Sequence, residues 1–364
     1  MVIERGYNIL LFFVSLSAII LLWEIELRIL SPPSVSDAGI ISAPMYMNDE
    51  QLGWKLKPHF KGVQENPAYK IDILLNGDGY RSEWMLDDIV KKSDAKKILG
   101  IGGSFTFGFG VQENETYLRL LEKGLNEKRD EKYLVYNTGV PGYSFKEYCK
   151  LLEKFREYLK YFDIIIIGVS INDHTDAALP HPKYKSYNGY LISYKNKSRD
   201  QDTNFQNRIK LFAYKHSYFF RGVAKAKINM AHLFDRDDNA DDKIGLRAAR
   251  DAWNNSIHYI DRIRKIAGYY EIPVIIIRIP HRKEIHKDER RDAHIDESLF
   301  ANLGVWLQEY SQKNGLYYVD TLPTLNELKR DHSVYYLEYD AHWNNYGHKA
   351  AAKAILDTIN FSTM

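Results

Sequence analysis

Two short segments far apart in the chain carry groups that can do covalent chemistry. The first is Gly102-Gly103-Ser104-Phe105-Thr106-Phe107-Gly108, directly after an apolar run. It offers a serine on a tight glycine turn. The second is Asp340-Ala341-His342-Trp343-Asn344, followed by Asn345-Tyr346-Gly347-His348. It offers a histidine with a carboxylate two residues before it. Together they can supply acyl transfer: Ser104 as nucleophile, His342 as base, and Asp340 to orient the imidazole and stabilise its cation. Acyl transfer also needs donors aimed at the developing oxyanion. The candidates are the backbone N–H of Ser104, the N–H of Gly142 in Gly139-Val140-Pro141-Gly142, and the side-chain amide of Asn172 in Gly168-Val169-Ser170-Ile171-Asn172-Asp173. A glycine at 142 lets its amide approach a substrate closely.

Each residue also has a plain structural reading. Ser104 fits an ordinary turn after a strand. Asn172 and Asp173 fit a helix cap. His342 fits a packed, hydrogen-bonded ring. Asp173 and His174 are read as supports for their loop, with substrate contact open for His174. His348 is read as structural. What favours chemistry is placement: each segment falls at the carboxyl end of a predicted strand or at the start of the last helix.

Those elements alternate in type. Strands are predicted at Lys97–Ile101, Tyr133–Tyr136, Asp163–Val169, Pro273–Ile279 and Leu316–Val319, each a short apolar run of the kind buried on both faces of a parallel sheet. Helices are predicted at Glu115–Arg129, Phe145–Tyr158, Leu246–Gly268, Leu299–Lys313 and Tyr346–Ile359, from apolar residues at helical spacing and glycine stops. This rhythm predicts an α/β fold, a doubly wound parallel sheet with helices on both faces, whose site lies at the carboxyl ends of the strands. The rhythm breaks from about 175 to 243, which reads as a cap insertion with helix over Phe205–His232, lying over the strand ends. Upstream, Asn76-Gly77-Asp78-Gly79-Tyr80-Arg81 reads as a hairpin turn. Arg81 there is read as structural rather than as a ligand for a substrate anion. The expected organisation is a cytoplasmic tip and anchor over 1–30, a linker and extension over 31–95, and a catalytic domain over 96–364.

Composition bounds the rest. With 364 residues, 45% hydrophobic and 27% charged, the chain can bury a sizeable core. A net charge of +2 gives no global attraction to nucleic acid. The single cysteine, Cys149, excludes an internal disulfide. Asp235-Arg236-Asp237-Asp238-Asn239 lacks the glycine and glutamate of a calcium loop, and no metal-ligand spacing is present, so no metal or cofactor is expected. Residues 6–23 carry no charge and are mostly Leu, Ile, Phe and Val. That length just crosses a bilayer. Leu22-Trp23-Glu24-Ile25-Glu26 lacks the small residues of a signal cleavage site, so a retained single-pass membrane anchor is favoured over a cleaved signal peptide. Arg5 ahead of the run points to a cytoplasmic N-terminus, with the body of the protein extracytoplasmic.

The four blocks, in this order, resemble those of the SGNH/GDSL hydrolases. Gly102-Gly103-Ser104-Phe105-Thr106 is similar to the first block, Asn137-Thr138-Gly139 to the second, Ser170-Ile171-Asn172-Asp173 to the third, and Asp340-Ala341-His342 to the last. The resemblance covers about Lys96 to Asn360 apart from the insertion, and implies a flavodoxin-like SGNH fold. It assigns Ser104 as nucleophile, Gly142 and Asn172 as oxyanion donors and His342 as base. Two positions depart from the pattern. Residue 103 is Gly where the family usually has Asp. The acid stands two residues before His342 where many members have it three before, with Glu338 as a fallback. An Asp-x-His spacing is similar to that of members acting in polysaccharide acetylation. The expected activity is cleavage of an ester, best an O-acetyl group on an envelope or exported polysaccharide. Three alternatives stand beside it: an O-acetyltransferase served by a membrane acyl-donor partner, a non-catalytic polysaccharide-binding or assembly protein, and a lipid esterase.

Overall fold

The computed structural model describes residues 2–30, 40–41, 43–66, 68–177, 184–193, 242–286, 297–336 and 340–364, with scattered residues between 209 and 226. Helix α1 (Val2–Leu30) leads, and its stretch Tyr7–Leu30 is long and apolar enough to cross a membrane. A short strand β1 (Ile40–Ile41) follows. Two antiparallel hairpins come next, β2 (Tyr46–Asp49) with β3 (Gly53–Leu56) and β4 (Lys61–Asn66) with β5 (Tyr69–Leu74), then the short helix α2 (Leu86–Lys91).

The α/β unit begins with β6 (Ala95–Gly102) and continues through α3 (Ser104–Phe107), α4 (Tyr117–Lys128), β7 (Lys132–Asn137), α5 (Phe145–Lys154), β8 (Ile164–Val169) and α6 (Ile171–Ala177). A hairpin of β9 (Tyr184–Tyr187) and β10 (Tyr190–Ser193) interrupts it. It resumes with α7 (Asp242–Tyr269), β11 (Val274–Arg278), α8 (Arg282–Ile285), α9 (Glu297–Lys313), β12 (Tyr317–Asp320), α10 (Leu322–Leu328) and α11 (Asn345–Thr358).

Five strands form one parallel sheet in the order β12-β11-β8-β6-β7. Counted along the chain, that is the 2-1-3-4-5 order of a flavodoxin-like doubly wound fold. The alternation of a strand sends its side chains to opposite faces. Ile98, Ile164, Ile166, Ile275 and Ile277 pack with α4 and α11 on one face. Leu99, Ile101, Ile165, Ile167 and Ile276 pack with α5 and α7 on the other. Each such buried side chain stabilises the fold by about 1.5–3 kcal/mol, so the sheet is a stiff floor. In this topology ligands bind where the strand order reverses, beyond the carboxyl ends of β6 and β8. Ser104 follows the first of these strands and Asn172 the second.

One expectation is corrected. Asn76–Arg81 is a turn but not a hairpin: the paired strands are β2 with β3 and β4 with β5, both of which end before Asn76. Asn76 instead folds its side chain back on the chain, its Oδ1 accepting from the N–H groups of Asp78 (3.0 Å) and Tyr80 (2.9 Å). This is the local asparagine turn that competes with a strand. The helix expected over 205–232 falls mostly outside the described residues. Residues 218–223 are helical, but they pack against the end of α1. Among the described residues of the insertion, the β-hairpin reaches the strand ends: β10 pairs with β1 and Tyr184 meets Gly142.

Candidate active site

The serine turn is drawn tightly onto the sheet. A Cβ on Gly102 would lie 1.9 Å from Thr106 Oγ1, so only glycine lets α3 start so close to the strand. Thr106 Oγ1 hydrogen-bonds Tyr117 Oη at 3.0 Å. Asn137 at the end of β7 ties the second loop to the first. Its Nδ2 donates to the Thr106 carbonyl (2.8 Å) and its Oδ1 accepts from Gly139 N–H (2.9 Å).

The histidine arrives from the opposite direction, on the loop before α11. Trp343 is fully buried against Phe105, Tyr117 and His348, which fixes the loop in the core. Asn344 caps α11, its Oδ1 accepting from Tyr346 N–H (3.0 Å) and Gly347 N–H (3.1 Å). The residue between these anchors and the acid is His342. Its Nε2 lies 2.6 Å from Ser104 Oγ. Its Nδ1 is hydrogen-bonded to Asp340 Oδ1, which also accepts from the His342 N–H at 3.0 Å. A proton on Nδ1 held by the carboxylate leaves the Nε2 lone pair facing the serine. Burial alone would push the Asp340 carboxyl up, but His342 and Tyr69 outweigh it and hold it below the usual carboxylate range.

The loops that carry Gly142 and Asn172 flank the serine turn. Gly142 has φ +86°, in the left-handed region, and a Cβ there would press on Tyr184 (3.0 Å) and Trp54 (3.1 Å). At the end of β8, the Ser170 hydroxyl lies 2.5 Å from Asn172 Oδ1. That contact makes Oδ1 the acceptor end of the amide and leaves Nδ2 as the donor end. Among the described residues, neither Gly142 nor Asn172 is hydrogen-bonded to Ser104. Residue 338 lies outside the described residues.

Residues 237–363 match the sequence profile of the SGNH hydrolase-like domain of the acetyltransferase AlgX. Residues 237–363, which hold Asp340 and His342, thus carry the profile of an SGNH hydrolase-like domain. Among solved structures, a lipolytic protein of the G-D-S-L family from Veillonella parvula is 13% identical with a TM-score of 0.41, over 74% of this chain and 100% of that one. A catalytic variant of an acetylxylan esterase from Geobacillus stearothermophilus is 16% identical with a TM-score of 0.40, over 74% of this chain and 97% of that one. No curated protein matches the chain.

The departure of position 103 from the SGNH/GDSL pattern has a physical counterpart. A Cβ on Gly103 would lie 3.3 Å from Tyr148 Oη and 3.7 Å from Asp173 Oδ1. Tyr148 donates to that oxygen at 2.7 Å, while Asp173 Oδ2 accepts from Ser170 N–H at 2.5 Å. Burial pushes the Asp173 carboxyl up to about 7. A second carboxylate at 103 would crowd this buried one, so the Asp173–Tyr148 pair occupies the place an aspartate there would need. His174 is buried between Phe145 and Trp253, with Nδ1 2.8 Å from Ser256 Oγ. His348 is likewise buried, its Nδ1 accepting from Tyr117 N–H at 3.1 Å.

The sequence reading missed the part played by the segment before β6. Tyr69 on β5 donates to Asp340 Oδ2 at 2.7 Å. Trp54 on β3 donates from Nε1 to the Pro141 carbonyl (3.2 Å), beside Gly142. Arg81 is buried and donates to the carbonyls of Gly108 (2.6 Å) and Val111 (2.7 Å), just past the serine turn. The three loops that carry Ser104, Gly142 and His342 are thus each gripped by one polar side chain from residues 54–81. Arg81 was legible as structural; Tyr69 and Trp54 carried no local signal, because their partners lie 271 and 87 residues away.

Proposed function

We propose that the protein is a membrane-anchored serine esterase acting outside the cytoplasm, with Ser104, His342 and Asp340 as its catalytic groups. One observation carries the reading: the continuous chain from Ser104 Oγ through His342 to Asp340. Ser104 Oγ bonds to the ester carbon as its proton passes to His342 Nε2. The oxyanion takes donors from Ser104 N–H, Gly142 N–H and Asn172 Nδ2. Collapse breaks the bond to the alcohol, which leaves with the proton from His342. Water then repeats the sequence on the acyl-serine and frees the acid. The substrate class that fits is an O-acetyl group on an envelope or exported polysaccharide, because α1 would tether the site at a membrane.

A second reading is favoured by one specific finding: the matched profile is that of an acetyltransferase. The same acyl-serine would then pass its acyl group to a sugar hydroxyl, with the acyl supplied by a membrane partner. Intact-mass detection of an acetyl adduct on Ser104, with simple acetyl esters and with or without oligosaccharide acceptors, tests both. Release to water supports the esterase; acetylated oligosaccharide supports the transferase. No adduct, together with no labelling of Ser104 by a fluorophosphonate, overturns both in favour of a non-catalytic binding or assembly protein.

Two further outcomes are expected. Asn172→Ala should lower the acylation rate by about 10²–10³-fold, the cost of one oxyanion donor. Single-turnover kinetics measure it, and an unchanged rate would remove Asn172 from the oxyanion site. Tyr69→Phe should slow acylation by up to about tenfold, through loss of one hydrogen bond to a charge. Single-turnover kinetics read the loss, and an unchanged rate would mark Tyr69 as merely structural.

A further inference from the structure

The insertion holds a segment that the catalytic reading does not use. Residues 203–234 contain six Lys and Arg residues and no Asp or Glu. In a chain of net charge +2, this is a concentrated block of one sign. It is also rich in large apolar residues. Ile209, Phe212, Phe220 and Val223 are exposed to between 47% and 65%. An exposed apolar row beside a basic block is the composition of a helix lying in a membrane interface.

Its position makes the choice of partner. The segment is pinned to α1 at the level where the apolar run of residues 6–23 gives way to charge. Glu24 accepts from the N–H groups of Tyr218 (2.9 Å) and Phe219 (2.8 Å) and from Ser217 Oγ (2.8 Å), so it caps the start of helix 218–223. The Trp23 and Phe219 rings meet at 5.9 Å, and the Arg28 guanidinium lies 4.9 Å from the centre of the Tyr218 ring. Tryptophan, tyrosine and arginine at the end of an apolar helix are the residues that sit at headgroup level.

We propose that the segment carrying Ile209, Phe212, Phe220 and Val223 seats on the surface of the bilayer that α1 enters, with its basic residues on anionic lipid headgroups. A bilayer fits better than a protein partner because α1 already brings one to Glu24, and because the charge has one sign. Seating at this depth holds the body of the protein at a fixed height and tilt, where α1 alone would leave it free to swing. The inference rests on α1 spanning the membrane, and the test separates the two.

The full-length protein is reconstituted into phosphatidylcholine vesicles with and without phosphatidylglycerol. A polarity-sensitive fluorophore is attached at Phe220→Cys, at Leu16→Cys, or at Lys123→Cys on exposed α4, Cys149 being buried. Quenching by lipids brominated at shallow or deep positions is then read. The expected result is deep quenching at 16, shallow quenching at 220 and none at 123. The signal at 220 should be stronger with phosphatidylglycerol and fall as salt is raised. No quenching at 220 while 16 is quenched overturns the inference and leaves the anchor intact. Quenching at 220 that is indifferent to phosphatidylglycerol and salt overturns the anionic-lipid contact. No quenching at 16 overturns the anchor itself.

Discussion

Ser104→Ala is expected to lower turnover of an acetyl ester by about 10⁴–10⁶-fold with no loss of fold. The size follows from what the hydroxyl does. It supplies the atom that becomes acylated, and no other hydroxyl or thiol is linked to His342 among the described residues. The fold should survive because the Ser104 side chain contacts His342 and little else. The turn itself is closed by backbone bonds from Gly108 N–H (3.1 Å) and Phe109 N–H (3.0 Å) to the Ser104 carbonyl. Alanine keeps all of these. His342→Ala should cost a similar factor, and the double variant little more than either single one, because a nucleophile without its base is already disabled. Steady-state kinetics with fluorophosphonate titration of active sites checks both points. A Ser104→Ala protein retaining a tenth of the activity would remove Ser104 as the nucleophile.

How much of this was legible in the sequence depends on the range of the interaction. The sheet was read strand by strand, because isoleucine runs such as Ile164–Ile167 have one use in an α/β chain, as strands buried on both faces. The serine turn and the histidine loop were legible because each carries its own local cause. Glycine at 102 permits the close start of α3, and asparagine at 344 caps α11. The region before β6 was not legible in the same way. Tyr69, Trp54 and Arg81 sit in short strands and turns whose register nothing nearby dictates, and their partners are carbonyls and carboxylates on distant loops. The mistaken hairpin at Asn76–Arg81 has the same origin. Asn-Gly and Asp-Gly pairs signal a turn, but whether strands pair across it is decided by packing. Gly103 shows a subtler limit. It looked like a loss against the family pattern, and only the three-dimensional neighbourhood shows Asp173 and Tyr148 in that space.

Asp340→Asn is the second large effect, about 10³–10⁴-fold in the rate of acylation, and here the surroundings decide its cause. An asparagine has one acceptor oxygen and one donor nitrogen where the carboxylate has two acceptors. Two N–H groups point at Oδ1, those of His342 Nδ1 and the His342 backbone, and the Tyr69 hydroxyl points at Oδ2. If the amide nitrogen faced His342, it would oppose the backbone N–H and force the proton to Nε2, the wrong tautomer. If it faces Tyr69, the hydroxyl can turn and accept, and His342 keeps its proton on Nδ1. The second orientation satisfies every group. The loss then comes from the missing negative charge beside the imidazolium, not from a flipped tautomer. This has a consequence for Tyr69. In the wild type it donates to a carboxylate; in the Asp340→Asn protein it accepts from an amide. Adding Tyr69→Phe to Asp340→Asn should therefore cost less than Tyr69→Phe costs alone. A double-mutant cycle on single-turnover rates reads the coupling directly. Equal costs in the two backgrounds would mean that Tyr69 acts on the shape of the loop and not on the charge of Asp340.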